Sequence, residues 1–334
     1  MKIVVTGVAG LLGSHVADQF LELGNEVVGV DNLLGGYLDN VNGKVEFVQA
    51  DTSDFARMST LLRNVDVLFH AACTAYEGLS VFSPALVTQN TFGNSISLFS
   101  AAIAQDVKKI VFCSSMARYG QQDIIPFTEQ LSPKPQDPYG IAKLACEATL
   151  RELCDTHNVE FSIAVPHNII GPRQKYDDPY RNVASIMINL MLQGKQPIIY
   201  GDGSQVRCFS FVRDVVDPLI KMCSIGFASG EIINVGPDEG PVTIIELARK
   251  IAEILNFKLD PIFLPDRPRE VKFATCSAEK ARKLLDYRTT TTLEEGLKLM
   301  IEYIEKRGVK PFNYHLPLEI ENHLTPKSWK ERLF

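Results

Sequence analysis

Short runs of β-branched and aromatic residues alternate with longer amphipathic stretches over the first 165 residues. The runs have the length of strands, and the stretches repeat their apolar residues at helical spacing. Strands are predicted at Lys2–Thr6, Glu26–Val30, Val45–Gln49, Val67–Phe69, Ile110–Ser114 and Phe161–Val165, and helices at Leu11–Leu23, Pro84–Ala104 and Tyr139–Thr156. Strands that alternate with helices predict an α/β fold with a doubly wound parallel sheet.

This alternation stops after residue 165. Residues 166–213 are rich in Gly and Pro and contain one clear helical pattern, Val183–Leu192. Residues 214–235 again have the pattern of a helix and a strand, and residues 236–306 hold three more helices, Ile244–Leu255, Ala278–Leu285 and Leu293–Lys306. We predict a first domain of residues 1–165, to which 214–235 return, and a smaller interleaved α/β C-terminal lobe of residues 166–213 and 236–334.

Composition narrows the classes of protein. A chain of 334 residues exceeds the usual size of one core, and its net charge of −6 with no long basic run argues against nucleic-acid and membrane partners. No apolar stretch is long enough for a membrane span, and no signal peptide is expected before the first strand. The seven cysteines contain no CxxC pair, which favours reduced thiols without a metal site in a cytoplasmic protein.

A glycine loop follows the first strand. Gly7, Gly10 and Gly13 have GxxGxxG spacing where a strand ends and a helix begins. Such glycines permit a tight turn, a close approach of the backbone to a pyrophosphate and close packing of helix on strand. The helix N-terminus offers free N–H groups to phosphate oxygens. The loop therefore predicts a dinucleotide site.

Two aspartates follow the next strands. Asp31 lies 18 residues after Gly13, where a carboxylate accepts hydrogen bonds from the adenosine ribose and repels a 2′-phosphate. No basic residue follows it closely, so NAD is predicted rather than NADP; a simple turn residue is the alternative. Asp51, before Thr52, has two interpretations, a contact to the adenine amino group or a helix N-cap.

A second pattern carries candidate chemistry. Tyr139 and Lys143 have YxxxK spacing, which places both on one face of a helix. A nearby ammonium and a positive nicotinamide ring stabilise a phenolate, so we expect both to lower the pKa of Tyr139, and Lys143 also to hold the cofactor ribose. Ser115 follows another strand and would offer its hydroxyl to the reacting oxygen. A partly exposed helix without function is the alternative for YxxxK alone.

These motifs occur in one order together with His70-Ala71-Ala72, Asn90, Tyr119-Gly120 and Asn168…Gly171-Pro172-Arg173. Over residues 1–306 the chain closely resembles the extended short-chain dehydrogenase/reductase family of NAD-dependent epimerases and dehydratases. The resemblance implies a Rossmann domain that binds NAD, and a lobe that binds a nucleoside diphosphate sugar, with a UDP-sugar favoured. Family members commonly form homodimers through two helices, here near 84–104 and 139–156. Leu144, Cys146 and Leu150 fit that interface, and core packing explains them equally well.

The resemblance also implies roles for matching positions. Ser115, Tyr139 and Lys143 would be catalytic. NAD would be bound by Gly7, Gly10, Leu11, Leu12, Gly13, Asp31, Asn32, Asp51, Thr52, Ala71, Ala72, Asn90, Ser114, Tyr139, Lys143 and Pro166. Substrate would be bound by Ser80, Met116, Asn168, Asn182, Tyr200, Arg207 and Arg267, the two arginines facing the diphosphate. A surface salt bridge is the alternative for either arginine.

Departures from the family narrow the reaction. Met116 and Ala117 stand where hexose dehydratases carry Asp-Glu, so loss of water is not expected. The pattern indicates a nucleotide-sugar epimerase that inverts C4 through a transient 4-keto sugar, with Tyr139 as base. The alternatives are a nucleotide-sugar 4-ketoreductase or dehydrogenase and, in another class, a non-catalytic NAD-sensing protein.

Two positions stay open. His167 lies where many 4-epimerases have other residues, and it is either an additional acid/base or an ordinary loop histidine. Residues 311–334 lie outside the resemblance, and Ser328 with Glu331 would form a capping box for a short last helix.

Overall fold

The computed structural model describes residues 1–334. The strands are β1 (Lys2–Thr6), β2 (Glu26–Asp31), β3 (Glu46–Gln49), β4 (Val67–His70), β5 (Lys109–Cys113), β6 (Glu160–Pro166), β7 (Ile169–Ile170), β8 (Ile198–Tyr200), β9 (Val206–Arg207), β10 (Ser210–Phe211), β11 (Ile232–Val235), β12 (Val242–Thr243), β13 (Ile262–Leu264) and β14 (Phe273–Ala274). The helices are α1 (Leu11–Glu22), α2 (Phe55–Leu61), α3 (Glu77–Ser80), α4 (Pro84–Thr88), α5 (Asn94–Ala104), α6 (Pro138–His157), α7 (Val183–Leu192), α8 (Val212–Met222), α9 (Ile244–Ile254), α10 (Glu279–Leu285), α11 (Leu293–Arg307) and α12 (Lys327–Lys330).

Seven parallel strands form the central sheet in the order β11-β6-β5-β4-β1-β2-β3. One face packs against α1, α8 and α10, and the other against α2, α5 and α6. Both faces are covered, which explains why the strands are continuous apolar runs rather than alternating ones. The predicted doubly wound α/β fold is therefore the observed one.

The chain leaves the sheet after β6 and returns to it at β11. The C-terminal lobe contains three small sheets, β10-β7, β12-β9-β14 and β13-β8, and its core lies among α7, α9 and α11. Capping boxes of Thr243 with Glu246 and of Thr292 with Glu295 start α9 and α11. Residues 278–285, expected in this lobe, pack instead against the central sheet.

One predicted helix is interrupted. Between Pro84 and Ala104 the structure has α4, one π-turn over Gln89–Gly93, and then α5. A π-turn adds a residue to one turn and is frequent at functional sites. Here it carries Asn90, one of the expected cofactor ligands.

The structure also bears on two expectations about surfaces. Cys146 and Leu150 are fully buried within the chain, so core packing accounts for them, and the homodimer stays a prediction. None of the helices combines the length and the apolar composition that a membrane crossing requires.

Candidate active site

A large cleft lies at the carboxyl ends of the parallel strands, between the sheet and the C-terminal lobe. At this edge β1 and β4 are neighbours, and the helices that follow them cover opposite faces of the sheet. Doubly wound sheets bind ligands at such a point. The cleft has a volume of about 430 Å³. It brings together these expected residues: Gly7, Gly10, Leu11, Leu12, Gly13, Asp31, Asn32, Thr52, Ala71, Ala72, Asn90, Ser114, Ser115, Tyr139, Lys143, Pro166, Asn168, Asn182, Tyr200, Arg207 and Arg267.

The glycine loop has the shape that a pyrophosphate site needs. Gly7 has a φ of +75°, and a Cβ on Gly13 would lie 2.1 Å from the Gly7 carbonyl oxygen. Neither position therefore accepts a larger residue. No side chain caps α1, and Leu11 and Leu12 of its first turn line the cleft. The first-turn N–H groups and the positive end of the helix dipole therefore face the cleft, which fits NAD.

Asp31 is both a structural and a candidate binding residue. Its two carboxylate oxygens accept hydrogen bonds from the Ala9 N–H (2.9 Å) and the Leu33 N–H (2.7 Å), which tie the glycine loop to the end of β2. Burial raises the pKa of Asp31, and these two hydrogen bonds oppose that rise. Each oxygen retains a lone pair, so the carboxylate can still accept a ribose hydroxyl in the cleft.

Asp51 lies at the edge of the cleft, between the lining residues Ala50 and Thr52, and its contact to the adenine amino group stays a prediction. It accepts hydrogen bonds from Asn32 Nδ2 (2.9 Å) and Asn94 Nδ2 (2.8 Å), two residues that line the cleft. The alternative of a helix cap is wrong, because Asp54 caps α2 by accepting from the Arg57 N–H. Asp51 thus orients two amides at the edge of the cleft.

Ser115, Tyr139 and Lys143 converge from two elements. Ser115 follows β5, and its Oγ accepts a hydrogen bond from the Ala117 N–H (3.2 Å) in a 3₁₀ turn over Met116–Arg118. Tyr139 and Lys143 lie in the first turns of α6, which begins with Asp137 as N-cap and Pro138 at N1. Lys143 Nζ donates to the Cys113 carbonyl oxygen at 2.7 Å and lies 5.9 Å from the Tyr139 ring centroid.

The charge state of Tyr139 is governed by burial. Burial raises the pKa of Tyr139 well above its ordinary value, Cys73 raises it further, and the Ser115 hydroxyl and Arg181 oppose the rise. The Lys143 ammonium lies 5.9 Å from the ring centroid and does not offset the effect of burial on the pKa of Tyr139. The lowering expected from YxxxK spacing is therefore not achieved by the lysine alone, and a phenolate at this position requires further positive charge beside the ring.

A buried ion pair lies beneath the serine loop. Arg118 Nε donates to both carboxylate oxygens of Glu147 at 2.9 and 3.0 Å, and both side chains are 4% exposed. The Ser114 hydroxyl also donates to Glu147. The pair joins the 3₁₀ turn to α6 and so fixes Ser115 relative to Tyr139 and Lys143.

Arginines and one glutamate form the opposite end of the cleft. Glu270 Oε1 lies 2.8 Å from Arg267 Nη2 and 3.8 Å from Arg207 Nη2. Burial acts to raise the pKa of Glu270, but Arg267 and then Arg207 hold it below its ordinary value. The Arg267 guanidinium carbon lies 4.8 Å from the Tyr200 ring centroid. The two arginines belong to the cleft rather than to a surface salt bridge, and the pair can face phosphate oxygens.

A smaller cavity of about 80 Å³ adjoins the cleft, and Met116 and Ala117 line it, together with Glu77 and Asp137. The Glu77 side chain is exposed to this cavity, but the surrounding protein buries it away from bulk solvent. This burial and the neighbouring Asp137 raise the pKa of Glu77 to about 7, against the effect of Arg207 and Arg267. The carboxyl groups of Glu77 and Asp137 therefore line the same cavity as Met116, although neither residue is its neighbour in the sequence.

One expectation is wrong, and one open question is answered. Ser80 lines neither cavity, because its buried hydroxyl donates to the Glu77 carbonyl oxygen at 2.6 Å and contacts Asp137. His167 is 1% exposed, its Nε2 bonds to the Pro237 carbonyl oxygen at 2.9 Å, and it does not line the cleft. It is the ordinary loop histidine of the two interpretations.

Several cleft residues are missing from the sequence prediction: Glu77, Asn94, Arg181, Glu270, Trp329 and Phe334. Asn94 lies after the π-turn, which apolar periodicity does not reveal. Glu270 follows Arg267 within one short segment, so an i, i+3 charge pair was the available signal. The aromatic residues lie far away in the chain and no local pattern connects them to the cleft.

Comparison with known proteins agrees with this geometry. Residues 3–236 match the model of the NAD dependent epimerase/dehydratase family. The UDP-glucose 4-epimerase of Mycolicibacterium smegmatis is 32% identical over 319 residues, which cover 92% of this chain and 100% of that protein.

Solved structures are similarly close. The UDP-glucose 4-epimerase of Thermotoga maritima, solved with UDP-glucose, superposes with a TM-score of 0.87 at 32% identity, covering 92% of this chain and 99% of the other. The UDP-glucuronic acid 4-epimerase of Bacillus cereus, solved with UDP-glucuronic acid and NAD, has a TM-score of 0.86 at 27% identity, covering 92% and 100%. UDP-glucuronic acid decarboxylases also match, at 28% identity.

The family match spans more than half of the chain, and the cleft presents the glycine loop, Asp31 and the Ser115–Tyr139–Lys143 group in the order expected from the motifs. Family, fold and cofactor predictions are thereby confirmed. The chain belongs to the NAD-dependent epimerase/dehydratase family, and NAD is its cofactor.

Proposed function

We propose that this enzyme is a nucleotide-sugar 4-epimerase that inverts C4 of a UDP-sugar through a transient 4-keto sugar. One observation carries the proposal: Ser115, Tyr139 and Lys143 share a single cleft with Arg207 and Arg267. The first group suits removal of a proton from a hydroxyl, and the arginines suit a diphosphate. A nucleoside diphosphate sugar presents both chemical features.

NAD would be held by the glycine loop, Asp31 and Lys143, and when bound it supplies a reversible hydride acceptor. Tyr139 takes the proton from the sugar 4-hydroxyl and later returns it to the 4-oxygen. Ser115 positions that oxygen by hydrogen bonding. Lys143 adds positive charge on the Tyr139 face of the helix. The sheet and the C-terminal lobe enclose the site and limit access of water.

The diphosphate end explains how the intermediate stays bound during the reaction. Arg207 and Arg267 would hold the phosphates while the keto sugar turns, so that its opposite face meets the same reacting groups. The similarity to 4-epimerases for UDP-glucose and UDP-glucuronic acid supports a UDP-sugar and inversion at C4.

Incubation with UDP-, GDP-, CDP- and dTDP-sugars, read by product NMR, tests the proposal. The expected product is the C4 epimer of a UDP-sugar, formed without net accumulation of reduced cofactor. The panel includes a UDP-uronate, because release of carbon dioxide would assign the chain to decarboxylation instead.

The other outcomes separate the alternatives. A 4-ketoreductase or a dehydrogenase would consume cofactor in proportion to product, and an NAD-sensing protein would bind NAD without turnover. A product lighter by one water would show that Glu77 or Asp137 replaces the acid that Met116 and Ala117 lack. Any of these results would contradict the proposal.

A further inference from the structure

Residues 311–334 pack beside the cleft and contact both the sheet domain and the C-terminal lobe. On the sheet side, the Glu319 carboxylate accepts hydrogen bonds from the Ala85 and Leu86 N–H groups at 2.9 and 2.8 Å, at the start of α4. On the other side, the Tyr180 hydroxyl donates to the Leu316 carbonyl oxygen at 3.0 Å. We call this stretch the C-terminal segment.

The end of the C-terminal segment forms part of the cleft wall. Trp329 and Phe334 line the cleft, and Trp329 is 3% exposed. Trp329 Nε1 donates to the Pro179 carbonyl oxygen at 3.1 Å, and its ring lies 5.4 Å from that of Tyr180. The predicted capping box is wrong, because Pro326 precedes α12 without a side-chain cap and Ser328 lies inside the helix.

Ser328 has a different role. Its hydroxyl forms a hydrogen bond with the Tyr200 hydroxyl, while the Tyr200 ring lies against the Arg267 guanidinium. A Cβ on Gly78 would lie 3.3 Å from both Arg267 Nη1 and Trp329 Cη2, so Trp329 and Arg267 approach the same point. The C-terminal segment therefore contacts Tyr200 through Ser328 and approaches Arg267 through Trp329.

The cofactor end of the cleft lacks such support. No hydrogen bond joins residues 311–334 to the glycine loop or to Asp31. Leu34, close to Asp31, packs against the cluster that contains Leu316 and Trp329, so a change at Ser328 or Trp329 should act mainly on the diphosphate end.

We propose that the C-terminal segment is part of the nucleotide-sugar site, with Ser328 and Trp329 as positioning residues that hold Tyr200 and Arg267 in their binding geometry. This inference rests on the proposed function, because it assigns the diphosphate to Arg267. It makes affinity for the nucleoside diphosphate, more than affinity for NAD, depend on the Ser328 and Trp329 side chains.

Calorimetry with UDP and separately with NAD tests the inference on the full chain. Ser328→Ala removes the hydrogen bond to Tyr200 and should weaken UDP binding about 5–10-fold, and Trp329→Leu about tenfold or more. The Kd for NAD should stay within about twofold, since its site is not touched. In turnover, KM for the nucleotide sugar should rise while kcat changes little. Lys330→Ala, an exposed neighbour in α12, is the matched control and should behave as wild type.

Unchanged UDP affinity in Ser328→Ala would overturn the inference, even if Trp329→Leu fails to fold. Parallel loss of UDP and NAD affinity would also overturn it, because it would indicate a purely structural role. A wild-type protein that binds NAD but no UDP would refute the proposed function, and this inference with it. UDP binding by the wild type with unaltered variants would refute the inference alone.

Discussion

The two ends of the cleft are built from different parts of the chain. At the NAD end, one uninterrupted βαβ unit supplies the glycine loop and Asp31, and most binding groups are backbone N–H groups or buried side chains. At the diphosphate end, charged side chains from β9, from residues 267–270 and from α3 meet the C-terminal segment.

This difference shows how each end obtains its specificity. Backbone N–H groups at a helix start bind any phosphate, so the NAD end depends on one carboxylate for its choice of cofactor. The diphosphate end depends on a balance of charges, since Glu270 and Glu77 lie among the same arginines that would face the phosphates under the proposed function. We therefore expect changes at the first end to alter stability, chemistry or cofactor choice, and changes at the second to alter pH dependence.

The largest expected effect is on the buried pair beneath the serine loop. Glu147→Gln leaves the Arg118 guanidinium buried without a countercharge, which costs about 3–5 kcal/mol of unfolding free energy. Reversible urea unfolding measures the loss. Glu152→Gln, exposed on the same helix, is the matched control and should change stability by less than about 0.5 kcal/mol. Equal stability of the two variants would mean that the domain with the NAD end tolerates a buried Arg118 without a countercharge.

Next in size is the effect of Tyr139→Phe, at the junction of the two ends. The substitution removes the proton acceptor and keeps the ring, so kcat should fall at least about 10²-fold. The Kd for NAD should change little, because the glycine loop and Asp31 remain. Steady-state kinetics and calorimetry check both points. Near-normal turnover would mean that another group takes the proton, and Glu77 is then the group to replace, since it lines the cleft and His167 does not.

A smaller effect concerns cofactor choice. The Asp31 carboxylate would lie against a 2′-phosphate, so NAD should bind at least about tenfold more tightly than NADP, which is about 1.4 kcal/mol. Asp31→Asn should reduce this ratio, and because the amide has a single acceptor oxygen it keeps only one of the two hydrogen bonds from Ala9 and Leu33. Calorimetric Kd values for both cofactors provide the measurement. Equal affinities in the wild type would remove Asp31 from its assigned role.

The smallest effect is the pH dependence contributed by Glu77. Its pKa is about 7 in the folded chain and 4.5 ordinarily, so the native state binds more protons between these values. Stability of the wild type should therefore fall as pH rises through this window, relative to Glu77→Gln. Because Glu77 is exposed to the cavity, screening keeps the difference below about 1 kcal/mol. Urea unfolding at about pH 5 and about pH 8 measures it. If the difference in unfolding free energy between Glu77→Gln and the wild type is the same at both pH values, the raised pKa of Glu77 is contradicted.

Local sequence determined the sheet and the NAD end. Strand and helix periods, the glycine spacing, Asp31 at a strand end and Tyr139 with Lys143 on one helix face all involve neighbours within one supersecondary unit. Backbone geometry then fixes their mutual placement, and the structure shows these residues in one cleft. The pKa of Tyr139 could not be inferred in this way, because it depends on burial by residues from elsewhere in the chain.

Only the tertiary structure decided how distant segments meet in the cleft, although the family resemblance had already named Tyr200, Arg207 and Arg267. Glu270 pairs with Arg207 from a strand far earlier in the chain, Asn94 reaches the cleft through a π-turn, and Ser328 meets Tyr200 across 128 residues. Such contacts follow from how the lobes pack, and no periodicity or spacing in the sequence records that packing. For the same reason the sequence assigned Ser328 to a local cap, whereas the fold uses its hydroxyl to hold a distant tyrosine.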